Sequence, residues 1–370
     1  MNHVVTNLGH SARERLKNLS RESGRIPDYL FQRYAYERFF YRLGESRYRS
    51  RFVLKGASLF SIWLGPMFRV TQDVDFESSL TPDHELMADV FREIAELRVP
   101  DDGVRFDASS IEVSGIKAED QYKGVRVKFN AFIEQVRIRL QFDVGFGDSV
   151  YPRPEYGTYP VLLGGGSPRI KIYPQYTVIA EKLSAMIGLG MENSRLKDYF
   201  DLWILSENFE FDGVLLKTAI KRTFKRKGLE IVDKWPVGLQ DVFANDTLKI
   251  AQWDSFVRRT EPRQKPPGLS EVVSCIRTFL EPILFGGEAA LQWSCSERAW
   301  GNGTEIIKPT QDSWSLKQQR TTMRQYTGAP LALGGELSRV PRASIIGVFN
   351  PFHCRSKASK KLGVGGMYMP

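Results

Sequence analysis

The chain has 370 residues, 42% of them hydrophobic and 26% charged, and this ordinary globular composition excludes a wholly disordered protein. Its 52 Lys and Arg exceed its 43 Asp and Glu, which gives a formal net charge of +9. Residues 296–370 alone hold 11 basic and 4 acidic residues, so the first 295 residues are nearly neutral and are not a uniformly basic nucleic-acid binder.

No run of about 18 apolar residues is present, so we expect no transmembrane helix. The polar N-terminus predicts no secretory signal. Three widely spaced cysteines (Cys275, Cys295 and Cys354) form neither a disulfide framework nor a zinc ligand set. Together these features favour a location in the reducing cytoplasm.

The first half of the chain mixes helical and extended patterns. Two amphipathic helices are predicted at 9–22 and 26–44, followed by an extended segment at 52–55 and a turn at Gly56. A short helix is expected to open at Ser58 and to end near Gly65. A strand at 68–76, a helix at 83–98 and strands at 110–117, 124–133 and 136–145 follow, and the last two strands are joined tightly at Glu134 and Gln135.

The second half reads mainly as helices. Residues 149–173 are a connector with one short strand at 169–173, and the predicted helices lie at 175–187, 195–207, 212–226, 238–244, 248–258 and 268–281. After residue 296 the periodicity is lost. This basic tail is either an RNA-contacting arm or, more simply, a disordered extension or the product of a disrupted reading frame.

Two acids in the segment RVTQDVDF, residues 69–76, form the first candidate site. Alternate side chains of a strand point to the same face, so Asp73 and Asp75 are expected to lie side by side. Adjacent carboxylates repel unless a cation lies between them, and Mg²⁺ prefers such hard oxygen ligands. The alternative is a solvated strand edge that carries two acids.

A third acid, Asp143, lies in the alternating segment IRLQFDV, residues 138–144. If this strand neighbours the first one, Asp143 joins the same site. Two metal ions bridged by carboxylates would then activate a hydroxyl and stabilise a leaving pyrophosphate. Taken alone, Asp143 is more simply interpreted as an exposed strand acid.

A small-residue turn precedes the acid pair. Gly56 lets the backbone approach a phosphate closely, and Ser58 with the amides of the following helix can hold it. Between Ser58 and Asp73 lie 14 residues, enough for one helix and a return to an adjacent strand. A glycine-serine turn, a helix, a D-x-D strand and a third Asp on a later strand are the ordered layout of the nucleotidyltransferase fold.

In these motifs and in further segments, the sequence resembles the AbiEii/AbiGii toxin family of nucleotidyltransferases, the toxins of abortive-infection and type IV toxin–antitoxin systems. The matching segments are LFQRYAYERFFYRL, RFVLKGASLF, RVTQDVDF, VIAEKLSAMIGLGMENSRLKDYFDLW and AIKRTFKRKG. Ala57 stands where the family usually has a second glycine. The resemblance spans most of residues 10–290 and does not cover 296–370.

The resemblance implies that Asp73 and Asp75 are catalytic and bind Mg²⁺, for which Mn²⁺ can substitute. It also implies that Gly56 and Ser58 contact the phosphates of a bound nucleoside triphosphate. Asp143 is added to the metal ligands from strand phase and fold order rather than from the resemblance.

Lys182 matches the functional lysine of the family, which implies a catalytic contact with the triphosphate. Asp201 matches an acid of the family's last motif and is also expected to be catalytic, and its neighbour Asp198 is assigned to nucleotide binding. From the residues alone, a lysine suits a polyphosphate, and Asp198 and Asp201 lie on one helix face. The alternatives are a surface lysine and an ordinary helix with ion pairs to Arg195 and Lys197.

Basic residues recur at helical spacing in KTAIKRTFKRK, residues 217–227. Charged stripes of this kind are usually solvated faces. Beside a nucleotidyltransferase site, the stripe is a reasonable contact for an RNA backbone.

We therefore predict an α+β fold, in which a mixed-sheet nucleotidyltransferase domain at 51–173 follows N-terminal helices at 1–50. A helical domain at 174–295 completes the nucleotide site, and a basic tail occupies 296–370. The expected function is a Mg²⁺-dependent nucleotidyltransferase toxin that acts on tRNA or another RNA. It would cause growth arrest, serve phage defence and be paired with an antitoxin. The alternatives are a small-molecule nucleotidyltransferase of the antibiotic-modifying kind and a catalytically dead protein that binds nucleotide or RNA.

Overall fold

The computed structural model describes residues 7–66, 68, 73–116, 124–230, 234–260, 262–286 and 291–302, all within one unit of the chain, Met1–Ile306. The helices are α1 (Leu8–Ser23), α2 (Pro27–Glu45), α3 (Leu59–Leu64), α4 (His84–Ala95), α5 (Gln175–Leu189), α6 (Leu196–Asn208), α7 (Gly213–Lys227), α8 (Asp241–Ala244), α9 (Thr247–Thr260) and α10 (Leu269–Leu284). The strands are β1 (Phe52–Lys55), β2 (Val74–Ser78), β3 (Val104–Ile116), β4 (Gly124–Ile133), β5 (Val136–Phe146), β6 (Glu155–Thr158), β7 (Arg169–Ile172), β8 (Phe211–Asp212), β9 (Leu291–Ser294) and β10 (Ala299–Asn302).

Seven strands form a mixed sheet in the order β3-β4-β5-β2-β1-β7-β6. β2 runs parallel to β5 and β1 runs parallel to β7, whereas the other neighbours are antiparallel. The strands β4 and β5 meet in a tight turn at Glu134 and Gln135, and Glu134 adopts a φ of 55° there. This order puts β2 in the middle of the sheet, so that side chains of β1, β5 and β4 can meet those of β2.

An aromatic core joins one face of this sheet to α2 and α4. The ring centroid of Phe39 lies 4.6 Å from that of Phe142 and 5.4 Å from that of Phe91. Phe142 also stacks on Phe129 and Phe76 of the neighbouring strands. Because strand residues alternate between faces, the acids that flank Phe76 in sequence point to the opposite face of the sheet.

The chain after β7 is mainly helical. Helix α5 packs against α6 and α7, and α10 packs against α6. Helix α6 also reaches the segment before β2, because the ring of Phe200 stacks on that of Phe68 with centroids 6.2 Å apart. A small sheet of β8, β9 and β10 covers α10, where Trp293 and Trp300 contact Phe279.

The predicted fold class is confirmed, since a mixed sheet is followed by a helical region. Three local expectations need correction. The connector holds a second strand, β6, and the region predicted as helical up to residue 295 also holds β8 and β9. Residues 299–302 form a strand instead of irregular structure. Strands of two to four residues pair with distant segments, so local periodicity does not reveal them.

Some predictions fall on residues that the structure does not describe. They are the first part of the strand predicted at 68–76, the basic tail from 303 onward, and Cys354. Of the two cysteines within the described residues, Cys275 is free, and the thiol of Cys295 donates to Oε1 of Glu210 at 3.1 Å. Among the described helices, none is both long enough and apolar enough to cross a membrane.

Candidate active site

A row of four charged side chains crosses the middle of the sheet on the face opposite the aromatic core. Lys55 of β1 is opposite Asp75 of β2, Asp75 is opposite Asp143 of β5, and Asp143 is opposite Arg126 of β4. Residues directly opposite each other project to the same face of a sheet. Two carboxylates therefore lie side by side with one cation beyond each of them, as strand phase predicted for Asp75 and Asp143.

Two further acids lie along β2, the strand that runs across this row. Asp73 is exposed and immediately precedes β2. Glu77 is buried in β2, two residues beyond Asp75 and on the same face. Burial first, and then the charge of Asp143, raise the pKa of Asp73. Burial also raises the pKa of Asp75, and the charges of Asp143 and Asp73 act in the same direction. We refer to Asp73, Asp75 and Asp143 as the acid cluster.

The turn at Gly56–Ser58 is fitted around Asp75. Gly56 has a φ of 71°, which glycine adopts without strain, and a Cβ placed on it would lie 2.1 Å from Oδ2 of Asp75. Ala57 lies within the 3-10 turn and has no positive φ, so the alanine at this position is compatible with the turn. Ser58 is buried beneath the turn.

Asp143 already has a partner for both of its oxygens. Arg126 donates from Nε to Oδ1 at 2.8 Å and from Nη2 to Oδ2 at 2.7 Å, a bidentate pair. The pKa of Arg126 is raised, first by these hydrogen bonds and then by the charges of Asp143, Asp73 and Asp75. The three predicted metal ligands are thus neighbours, but one of them is bound to an arginine.

The acid cluster offers oxygen ligands of the kind that a divalent cation prefers. Within the described residues, no group of three or more His, Cys, Asp or Glu side chains is arranged to hold a metal ion. Asp73 and Asp75 nevertheless offer carboxylate groups whose pKa values are raised, first by burial and then by the charge of Asp143, and a bound cation would offset that repulsion. These two residues fit Mg²⁺ or Mn²⁺, whereas each oxygen of Asp143 already accepts one hydrogen bond from Arg126.

A buried polar cluster adjoins the row at Lys55. The ammonium of Lys55 contacts Glu77 at 3.1 Å and Asp148 at 2.6 Å. Glu181 of α5 faces the same ammonium, and its Oε1 is buried without a hydrogen-bond partner among the described residues. Burial raises the pKa of Glu181 to about 7. Lys55 is therefore committed to acids inside the protein and is not available to a ligand.

Lys182 is held in a second ion-pair cluster, which joins α5 to α6. Its ammonium lies 2.8 Å from Oδ1 of Asp198 and 2.7 Å from Oδ2 of Asp201, and both aspartates are almost fully buried. Arg195 adds a contact of 3.0 Å to Asp198. Burial lowers the pKa of Lys182, but the two aspartates outweigh it and raise the pKa overall. Lys182 is therefore not a surface lysine, and its ammonium already contacts two buried carboxylates.

Lys197, which sequence reasoning left out of the site, is an exposed residue in the first turn of α6. It lies three residues before Phe200, whose ring stacks on that of Phe68. Phe68 is in turn five residues upstream of Asp73. Its charge lowers the pKa of both Asp73 and Asp75, against the larger effect of burial. Lys197 is thus an exposed cation beside the acid cluster.

Part of the predicted basic stripe on α7 lies against the loop that follows β5. Arg226 donates from Nε to the carbonyl oxygen of Gly147 at 2.6 Å, and Arg222 lies over the ring of Tyr151 at 4.3 Å. Lys221 and Lys225 are exposed. The stripe therefore begins next to the Lys55 cluster and continues onto the surface.

Arg126, which the sequence analysis did not assign to the site, could have been found from the sequence. A two-residue turn at Glu134 and Gln135 fixes the β4–β5 register, and that register pairs Arg126 with Asp143. Lys197 offered no comparable signal, because its position depends on how α6 packs.

A family model described as "Nucleotidyl transferase AbiEii toxin, Type IV TA system" matches residues 38–275, well over half of the chain. Among curated protein sequences, none matches. A crystal structure from H. pylori, described as a nucleotidyltransferase, has 16% identity and a TM-score of 0.40 and covers 69% of this chain and 94% of its own. JHP933 from Helicobacter pylori has 14% identity and a TM-score of 0.40, with 80% and 97% covered.

Proposed function

Since the chain belongs to the AbiEii family of nucleotidyl transferase toxins of type IV toxin–antitoxin systems, we propose that it transfers a nucleoside monophosphate from a nucleoside triphosphate to an acceptor hydroxyl. The acceptor oxygen forms a bond to the α-phosphorus, the bond to the β-phosphate breaks, and pyrophosphate leaves. The observation that carries the proposal is the pairing of Asp75 with Asp143 beside Asp73, directly under the turn at Gly56.

Asp73 and Asp75 are the residues that would hold Mg²⁺ or Mn²⁺, with Asp143 as the third ligand expected from strand phase. A bound cation supplies two effects, neutralisation of charge on the triphosphate and a lower pKa for the attacking hydroxyl. Gly56 provides the space in which the carboxylate of Asp75 approaches the backbone of the turn.

The remaining site residues are assigned to the nucleotide. The backbone of the turn at Gly56 and Ser58 would contact the phosphates, and Lys197 is the exposed cation that faces them. Lys182, Asp198 and Asp201 are the catalytic and nucleotide-binding residues that the family resemblance implies. In the structure their ion pairs join α5 to α6, so we assign them the positioning of Lys197 as well.

For the acceptor we propose RNA, and tRNA as the first candidate. The exposed lysines of α7 support a polyanionic acceptor, because they continue from the site onto the surface. Transfer to such an RNA in the cytoplasm would arrest growth, and this arrest would serve phage defence. The toxin–antitoxin family implies a cognate antitoxin as partner.

The test is an acceptor comparison. Purified protein is incubated with Mg²⁺ and each α-labelled nucleoside triphosphate, either with total bacterial RNA or with hydroxyl-bearing antibiotics, and the Asp73→Ala variant is run alongside. We expect label on a discrete RNA only with the unaltered protein. Label on the small molecules would instead identify a small-molecule nucleotidyltransferase. Nucleotide binding without transfer to either acceptor would identify a catalytically dead protein.

A further inference from the structure

The strongest interaction at the edge of the acid cluster is the bidentate pair of Arg126 and Asp143. Its donor–acceptor distances are 2.8 and 2.7 Å, and it bridges neighbouring strands β4 and β5. The pair is not sealed in the interior. The side chain of Arg126 is 35% exposed and that of Asp143 is 20% exposed.

The cations around the cluster differ in how far they are already committed. Lys55 is bound to Glu77 and Asp148, and Lys182 is bound to two buried aspartates. Arg126 uses Nε and Nη2 for Asp143 and keeps its guanidinium at the open edge of the row. An incoming triphosphate adds several negative charges to three carboxylates, so it needs a cation that can reorient toward it.

A guanidinium suits this task because its fork of donors matches both a carboxylate and a phosphate in the same bidentate manner. The carboxylate of Asp143 therefore presents to Arg126 the same type of acceptor that a nucleotide would bring. Exchange between the two partners would not require Arg126 to leave the site.

We propose that Arg126 is a phosphate-binding residue that Asp143 holds in position until a nucleoside triphosphate arrives, when the guanidinium moves from the carboxylate to the phosphate oxygens. The proposal deepens the proposed function and rests on it. It assigns two roles in sequence to Asp143: partner of Arg126 in the empty site, and a free carboxylate once the nucleotide has bound.

The proposal makes opposite predictions for the two partners. In EDTA, Arg126→Ala should weaken the binding of nucleoside triphosphates by about tenfold or more, because a charged hydrogen-bond donor is lost. Asp143→Asn should tighten it by about two- to fivefold, because a competing partner of a half-exposed ion pair is removed.

A double variant separates this competition from a general gain of positive charge. If Asp143→Asn acts by freeing Arg126, it should have no effect in the Arg126→Ala background. If it acts only by removing a negative charge, the gain should be the same in both backgrounds, and this result would overturn the proposal.

The experiment is isothermal titration calorimetry of the full chain with each nucleoside triphosphate, in EDTA and in Mg²⁺, with circular dichroism to verify the fold. Arg126→Lys serves as a variant that retains the charge and loses the fork, and it should bind less tightly than the unaltered protein. Arg139→Ala is the matched control, because Arg139 forms a similar ion pair with Glu112 in the same sheet.

Binding by Arg126→Ala equal to that of the unaltered protein would overturn the proposal and leave the proposed function intact. So would the absence of metal-free binding in every variant of a protein that binds nucleotide with Mg²⁺. If the unaltered protein binds no nucleoside triphosphate even with Mg²⁺, the proposed function itself fails. Those outcomes therefore distinguish the two claims.

Discussion

Two separate constraints exclude a Cβ atom at Gly56. Its φ of 71° disfavours any residue with a Cβ, and that Cβ would overlap the carboxylate of Asp75. Gly24, which ends α1, has a φ of 70° but nothing within 4 Å of the equivalent position. The two glycines therefore differ in surroundings and not in backbone strain.

We predict that Gly24→Ala costs about 1–2 kcal/mol of stability from backbone strain alone. Gly56→Ala should cost more and should displace Asp75, which would lower nucleotidyl transfer about 100-fold, the usual effect of a misplacement near 1 Å. Urea unfolding and label transfer measure the two quantities. If the Gly24→Ala and Gly56→Ala variants had equal unfolding free energies and equal transfer rates, the contact between residue 56 and Asp75 would affect neither stability nor activity.

Glu181 gives the protein a pH-dependent term in stability. Burial raises its pKa to about 7 in the folded protein, from an ordinary value of 4.5. Between pH 4.5 and about pH 7, the folded protein keeps a proton on Glu181 that the unfolded chain has lost. The stability that Glu181 contributes is therefore lost as the pH rises through this range.

For Glu181→Gln we predict a smaller loss of stability between pH 5 and pH 8 than for the unaltered protein. One unit of pKa shift corresponds to about 1.4 kcal/mol, so the difference between the two proteins is at most about 3 kcal/mol. Urea unfolding at both pH values checks this difference. Parallel pH profiles would contradict the prediction, because they would mean that Glu181 titrates as an ordinary carboxylate.

Strand alternation predicted the face on which each acid of the cluster lies, and the order of the nucleotidyltransferase fold predicted that their strands are neighbours. Asp75 and Asp143 are in phase on their strands, so a parallel pair that buries the apolar faces of both strands keeps both acids on the opposite face. The protonation of Glu181 and the ion pairs of Lys182 could not be predicted in this way. They depend on how deeply α5 is buried and on which face α6 turns toward it.

At the scale of elements, α5 and α6 are joined by a charged contact rather than by apolar packing alone. Lys182 contacts both Asp198 and Asp201, which are buried, and Arg195 adds a second cation beside Asp198. This junction places the first turn of α6, with Lys197, near the start of β2. The sequence predicted both helices but not this junction, because charges three residues apart on one helix are equally compatible with a solvated face.

We therefore predict different outcomes for the two lysines. Lys182→Ala removes a cation that two buried carboxylates share and should cost about 3–5 kcal/mol of stability. Lys197→Ala, at an exposed position, should leave stability nearly unchanged and raise the KM for the nucleoside triphosphate about tenfold. Thermal unfolding and steady-state kinetics check the pair. An unaltered melting temperature in Lys182→Ala would refute the positioning role of Lys182.

At the scale of the whole molecule, charge is distributed unevenly. The first 295 residues are nearly neutral, so a polyanionic acceptor must be held by local basic surfaces. The exposed lysines Lys221 and Lys225 form such a surface on α7, the helix whose Arg226 contacts the loop after β5. The exposed pair Arg258 and Arg259 at the end of α9 carries the same charge and serves as a comparison.

For the variant Lys221→Ala/Lys225→Ala we predict weaker RNA binding and a shallower salt dependence. Loss of two phosphate contacts should reduce the slope of log K against log salt by about 1.4 for single-stranded RNA. Filter binding at several salt concentrations measures this slope. The prediction is wrong if Arg258→Ala/Arg259→Ala changes the slope as much, since the effect would then be a matter of net charge.

The central claim is that the acid cluster beneath the Gly56 turn catalyses transfer of a nucleoside monophosphate. The most direct measurement is a single-turnover reaction with RNA in which the nucleoside triphosphate carries its label either on the α-phosphate or on the γ-phosphate. The account predicts that α-label moves to the RNA while γ-label leaves as pyrophosphate, and that Asp75→Asn, still folded, does neither. Release of γ-label as inorganic phosphate, or full transfer by Asp75→Asn, would contradict it.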